Sequence, residues 1–464
     1  MGEQPADLRQ LFRSAADHAA GYRATFGERP VRAAKSAAEV RADFQRPLAQ
    51  AGRAADEVIE ELVALADGGL VASAGPRYFG FVTGGALPAA SAADMLAVGW
   101  DQNAGNSVMS PTSMAAEQAA GGWLKDLLGI PPAASAGFVT GAQAANTVGL
   151  AAARHHVLGR AGWDVERDGL IGAPRVHVLC GEDEHVTVYA ALRLLGLGEA
   201  GAVRVAGDEQ GRMRPDALRE ALAELDDGPT IVCAQAGNVA TGASDPFDEI
   251  ADACEERGAW LHVDGAFGLW ARVSPSLGEA TRGVERADSW GLDAHKWLNV
   301  PYDSALAIVA DEHAHRAAMG LTAAYLVATP TERDNTNYVP ESSRRARGVP
   351  MYAALRSLGR AGVAELVERN CAQARLMASL LFERIPGAEI VNDVVLNQVL
   401  LRLPGGDEAN RAAVARIQRD GTCWLGGTEW RGRAVIRIAI SNWSTTDADI
   451  ERSAAAIAAA AGAP

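Results

Sequence analysis

The 464-residue chain is poor in cysteine, in cationic side chains and in long apolar runs. Its five cysteines, Cys180, Cys233, Cys254, Cys371 and Cys423, are odd in number, widely spaced and form no C-x-x-C pair, the usage of reduced cytosolic thiols rather than of a disulfide framework. Forty-three Lys and Arg against 58 Asp and Glu leave a formal charge of −15, the wrong sign for gripping a phosphate backbone, so no nucleic-acid partner is expected. No stretch reaches about 18 uninterrupted apolar residues, which argues against a membrane span. The opening MGEQPADLRQLFRSAADHAAGY has no apolar core of a leader, so a cytoplasmic protein is expected. No G-x-G-x-x-G follows the first strand and no G-x-x-x-x-G-K-[ST] occurs, which leaves nucleotide binding with little support. His155-His156 and His313-x-His315 lack a companion carboxylate or thiol at ligand spacing, so they read as solvated helix residues and no metal is expected.

What is present is globular. Apolar residues make up 48% and charged residues 22%, near the averages of soluble domains, and the length asks for more than one packed unit. Residues 1–75, with helical spacing in EVIEELVALA (57–66), read as an N-terminal helical arm. Over 76–350 short β-rich runs alternate with amphipathic stretches, the pattern of a mostly parallel sheet covered by helices. The runs are RVHVLC, AVRV, TIVCAQA, AWLHVD, DSWGL and SALAIV, with helices predicted over 143–158, 185–196, 215–225 and 246–257. About eleven residues separate DSWGL from SALAIV, too few for a helical crossover, so those two strands are expected to pair antiparallel. A polar stretch after residue 320 reads as a long loop, a helix follows at 351–384, and the remainder of 351–464 alternates strand and helix as a small α+β domain.

Four features stand at predicted strand ends, where open α/β sheets bind ligands. Asp264 ends AWLHVD; it reads either as a turn former or, with its carboxylate set deep behind apolar residues, as a buried acid that needs a cationic partner. Lys296 lies in SWGLDAHKW; isolated lysines are surface residues, but apolar sequence flanks this one, and desolvation would free its amine as a nucleophile toward an aldehyde. FVTGAQAANTVGLAAAR runs from strand through Gly141 into a helix, either a plain tight turn or a turn that aims N–H groups at an anion. His185 opens a helix in EDEHVTVYAALRLLG, where an exposed first-turn position is the bland alternative. A phosphate cradle, a strand-end acid, a lysine and an imidazole together are the needs of pyridoxal 5′-phosphate (PLP).

The stretches WLHVDGAF, ADSWGLDAHKW, Ser110 to Glu117, GASDPFDEI, SRRARGVPMYAALRSLG and RIAIS together resemble the group II PLP-dependent amino-acid decarboxylases. The resemblance runs from about Tyr78 to Ile450. It implies an α/β chain of the fold type I, aspartate-aminotransferase-like class, with a seven-stranded mostly parallel sheet and a small C-terminal domain. It also implies decarboxylation of an L-amino acid to its amine and CO2 in a homodimer with shared sites. By it, Lys296 forms the internal aldimine, Asp264 pairs with the ring nitrogen, and Ala266 and His185 pack on the two ring faces, while Gly141, Ala142, Gln143 and His295 fall at phosphate-binding positions. Tyr325 matches the tyrosine that protonates the substrate carbon from across the dimer. Tyr78, Phe81, Asn103 and Trp270 are expected at the substrate pocket, buried aromatics otherwise being plain core.

The chain departs from the family at Asn238-Val239, where a hydroxyl pair is common, at Asp293, where an Asn is frequent, and in 102–111, which is small and polar rather than aromatic. An acid beside a phosphate repels it, so Asp293 is expected to face elsewhere or to titrate abnormally. The alternatives are an O2-consuming aldehyde synthase, against which Tyr325 argues, a carbon–carbon lyase with a similar Asp-x-His-Lys, and a binding module without catalysis.

Overall fold

The structure, a computed structural model, describes residues 7–321 and 333–462. Seven short strands make the main sheet: β1 (Ser135–Val139), β2 (His177–Gly181), β3 (Val203–Val205), β4 (Thr230–Gln235), β5 (Trp260–Asp264), β6 (Ser289–Asp293) and β7 (Ala305–Val309), in the order β1-β7-β6-β5-β4-β2-β3. Every residue of β1, β2 and β4 to β7 is buried, as strands covered by helices on both faces must be. That is why these runs are continuously apolar in the sequence rather than alternating. β2 through β6 pair parallel. β7 is antiparallel to β6 and to β1, so the short link after DSWGL does reverse the chain.

The helix Ala142–Arg160 crosses the middle of this sheet, its alanines letting it lie close to the strands. A second sheet, β8 (Glu389–Ile390), β9 (Gln398–Arg402), β10 (Gly426–Trp430) and β11 (Arg433–Ala439), is antiparallel throughout. β10 escaped the sequence reading because GGTEW is glycine-rich and half-exposed. Its turn, Arg431-Gly432, has both residues at positive φ, the geometry that suits a tight hairpin. The long helix Gly348–Arg384, broken at Gly359, places Met351, Ala354 and Val363 in the core of the main sheet and Ala374, Met377 and Leu381 in that of the small one. It ties the two sheets together.

The helices Leu8–Ala24, Ala37–Phe44 and Ala55–Ala66 bury none of their residues, and Leu8, Phe12, Phe44, Val58 and Leu62 stay exposed. This arm is held at its C-terminal side by Arg77, whose buried guanidinium donates to the Thr422, Gly27 and Arg29 carbonyls at 2.7, 2.6 and 3.1 Å. No helix among the described residues is long and apolar enough to cross a membrane.

Candidate active site

The carboxyl ends of the parallel strands converge on one cavity of about 190 Å3, walled by Ala142, Gln143, His185, Asp264, Ala266 and Lys296, with His295, Asp293, Val239 and Phe267 among the other residues that line it. Each element delivers one part. β5 ends in Asp264, β6 ends in Asp293 with Lys296 three residues on, β2 leads to His185, and Gly141 is the N-cap of the helix after β1.

Asp264 is buried, and its two oxygens accept from the Ala266 amide at 3.0 Å and from Asn146 Nδ2 at 2.9 Å. The cationic partner expected for it is not found among the described residues. No Lys, Arg or His among the described residues lies within ion-pair distance, so a buried negative charge is left with neutral donors only. Burying an anion in this way is costly unless a cation arrives.

Lys296 does not meet the apolar wall its flanks suggested, for its Nζ lies 2.9 Å from Asp293 Oδ2. Nor does Asp293 face elsewhere. Its Oδ1 accepts the Ala142 amide at 2.6 Å and lies 3.4 Å from His295 Nε2. The carboxylate therefore sits at the positive end of the helix Ala142–Arg160, which stabilises it there. His295 takes the Ser304 amide on Nδ1 at 3.2 Å and stacks on Tyr302 with centroids 4.3 Å apart. His185 caps its helix, its Nδ1 bonded to the Thr187 hydroxyl at 2.8 Å. Burial is the main cause that pulls the pKa of both imidazoles below its ordinary value.

The expected pocket aromatics are elsewhere. Trp270 is completely buried beneath the cavity, where its indole donates to the Asp293 carbonyl at 3.0 Å, so it braces the backbone of the site and does not line it. Tyr78 stacks on Trp424 at 4.9 Å, and Phe81 packs on the same indole while remaining 66% exposed. Asn103 accepts the Gly105 and Arg344 amides, both at 3.1 Å, and shapes its own loop. Tyr325 lies outside the described residues. His155 and His156, read as solvated helix residues with no carboxylate at ligand spacing, are half-buried and meet Glu166, eleven residues on, and Asp311, brought from distant sequence. Among the described residues no group of three or more His, Cys, Asp or Glu is arranged to hold a metal.

Three groups were missed. Asn146 lies one turn into the helix and reaches Asp264, a contact only the fold reveals. Glu184 is buried beside His185, with Oε2 unpartnered, and burial pushes its pKa well up. Arg437, in RIAIS, has a half-buried guanidinium that donates to the Val239 carbonyl at 3.1 Å and has no carboxylate in ion-pair range among the described residues. At the Asn238-Val239 departure, Asn238 turns inward to accept the Ala240 amide at 2.9 Å, and Val239 gives the cavity a methyl surface instead of a hydroxyl.

The pyridoxal-dependent decarboxylase conserved domain matches residues 39–404. Tryptophan decarboxylase 1 of Oryza sativa subsp. japonica is 28% identical over 418 residues, 83% of this chain and 80% of the relative. The aromatic-L-amino-acid decarboxylase of Bacillus atrophaeus is 28% identical over 393 residues, 80% and 78% of the two chains. In three dimensions the chain superposes on the Oryza sativa TDC crystallised with PLP and tryptamine with a TM-score of 0.90 at 25% identity, over 99% of each chain.

The residues present fit PLP. An amine suited to the aldehyde and an uncompensated buried carboxylate suited to a protonated ring nitrogen face the same cavity, next to a helix N-terminus suited to a phosphate. The match over most of the chain and this fit agree: the chain belongs to the pyridoxal-dependent decarboxylase family and is a PLP-dependent amino-acid carboxy-lyase of fold type I.

Proposed function

We propose that the chain removes the α-carboxylate of an L-amino acid to release the amine and CO2, with Lys296 holding the cofactor covalently and Asp264 holding a proton on its ring nitrogen. The observation that carries these roles is the buried Asp264 carboxylate without a cation, facing the cavity that also receives Lys296. Bound PLP supplies the electron sink that stabilises the carbanion left when CO2 departs. The chain's own groups do the rest. His185, kept neutral by burial, packs over one face of the ring, and Ala266 leaves room under the other. Gln143 and His295 serve the phosphate end, with Gly141 and Ala142 turning the chain toward it. Arg437, a half-buried cation that donates to the Val239 carbonyl and has no carboxylate in ion-pair range among the described residues, draws in the carboxylate of the substrate. Tyr325 returns the proton to the substrate carbon.

The working unit is a cytoplasmic homodimer with shared sites. The unburied apolar residues of the N-terminal arm, with exposed Met95, Leu96, Val98 and Trp100 on the helix Pro88–Trp100, support that reading, since large apolar patches on a soluble chain mark interaction surfaces. Purified protein is expected to show an absorbance band at about 420 nm that borohydride erases. Protein that binds PLP with no reducible band is a binding module without a covalent link, and the proposal fails.

A further inference from the structure

Behind the cavity wall four polar side chains continue from Asp264 into the core as one hydrogen-bonded line. Asn146 Nδ2 lies 2.9 Å from Asp264 Oδ2, and Asn146 Oδ1 lies 3.1 Å from His262 Nε2. His262 Nδ1 lies 2.8 Å from Ser289 Oγ, which is 2.9 Å from Trp260 Nε1. Asn146, His262 and Ser289 are completely buried, so none of these groups exchanges its partner for water.

The carboxylate end fixes the direction of the bonds. A carboxylate only accepts, so Asn146 Nδ2 donates to Asp264 and Asn146 Oδ1 is left to accept the hydrogen that His262 carries on Nε2. With the ring neutral, Nδ1 is an acceptor, and Ser289, which accepts from the Trp260 indole, gives its own proton to it. The reverse orientation sets the amide oxygen against the carboxylate. Burial supports a neutral ring, pulling the imidazole of His262 down to about 4.

The line also has space cleared for it. A Cβ at Gly291 would lie 2.4 Å from Asn146 Oδ1, and a Cβ at Gly149 would lie 2.8 Å from His262 Cε1. Neither glycine has a positive φ; both are small because the relay passes beside them. His262 and Asp264 are two residues apart in β5 and so share one face of the sheet, the face crossed by the helix that carries Asn146.

We propose that His262, acting through Asn146, is a positioning residue that holds the Asp264 carboxylate in acceptor form and in one orientation toward the cofactor's ring nitrogen. This rests on the reading of Asp264 as that nitrogen's partner. A row of donors that all point toward the carboxylate polarises each successive bond in the same sense. Removing the middle of the row should loosen cofactor binding without touching any group that contacts cofactor or substrate.

Two measurements on the full-length protein test this. In the side-chain 15N spectrum of the holoenzyme, the His262 signal, assigned by its loss in His262→Gln, should report a neutral ring with the proton on Nε2. A proton on Nδ1, or a doubly protonated ring at neutral pH, overturns the proposal whatever the variants do. The PLP dissociation constant should rise at least about tenfold in Asn146→Asp and His262→Phe, a tenfold change being about 1.4 kcal/mol. It should stay within about threefold of wild type in His262→Gln, whose amide keeps a donor toward Asn146. Equal weakening by Gln and Phe would mean a packing role only and overturn the proposal. Wild-type affinity in Asn146→Asp and His262→Phe, with weak binding in Asp264→Asn, refutes the relay and leaves the role of Asp264 standing. Wild-type affinity in Asp264→Asn as well removes the reading on which the relay rests.

Discussion

Asp293 and Lys296 face each other at 2.9 Å, and the second oxygen of Asp293 takes the Ala142 amide at the start of the helix Ala142–Arg160. An internal carboxylate thus sits where a helix end would otherwise welcome a phosphate. Asp293→Asn keeps an acceptor for the Ala142 amide and removes the negative charge. The charge's interaction with the helix end is worth about 0.3–1 kcal/mol, so PLP should bind about two- to fivefold more tightly. Weaker PLP binding in an equilibrium titration would instead make Asp293 part of the hold on the cofactor.

Lys296→Ala and Asp264→Asn should both fold, and both should lose activity, for different reasons. The first removes the nucleophilic amine and should abolish the borohydride-sensitive band and turnover together. The second keeps the shape but replaces a charge with an amide. Losing one partner of a buried pair costs on the order of 3–5 kcal/mol, at least about a hundredfold in kcat if it is felt at the transition state. A loss below about threefold would place Asp264 outside the chemistry.

Glu117 and Arg344 form a buried ion pair, with Arg344 Nη1 2.8 and 2.9 Å from the two carboxylate oxygens and Nη2 donating to the Phe138 carbonyl at 2.6 Å. Arg344→Met leaves Glu117 buried and unpaired and should cost about 3–5 kcal/mol in denaturant unfolding. Adding Glu117→Gln should recover part of that loss. A double variant less stable than the single one would contradict the assignment of the cost to the orphaned charge.

Shared sites predict complementation. Mixing inactive Lys296→Ala with inactive Tyr325→Phe chains should restore part of the activity in hybrids, because one of the two cavities then holds both wild-type residues. Verified subunit exchange with no recovery would mean that each chain completes its own site.

The main sheet was legible because all of its strands but the edge strand β3 are buried on both faces and therefore read as apolar runs. The reversal at β7 followed from the length of one loop. Asp264, Lys296 and His185 were legible because strand ends deliver them. Contacts between distant segments were not. The stretches holding Glu117 and Arg344 were noticed separately, and only folding shows that they are two halves of one ion pair. Asn146 looked like any helix residue until the fold laid it on Asp264. Trp270 was misplaced because a large aromatic after a functional acid has the same sequence signature whether it lines a pocket or fills the core beneath it. β10 was missed because its glycines remove the side-chain pattern by which strands are recognised.

The most direct test is to count products. With an amino acid found active in a substrate panel, wild-type protein should release amine and CO2 in equal amounts with little H2O2. On the proposed role of Tyr325, Tyr325→Phe keeps the ring but removes the proton donor, and the carbanion should then be diverted by O2 to aldehyde, ammonia and H2O2. Stoichiometric O2 consumption by the wild type would contradict the account in favour of an aldehyde synthase. No CO2 from any amino acid, with carbon–carbon cleavage of a β-hydroxy or phosphorylated substrate, would contradict it in favour of a lyase.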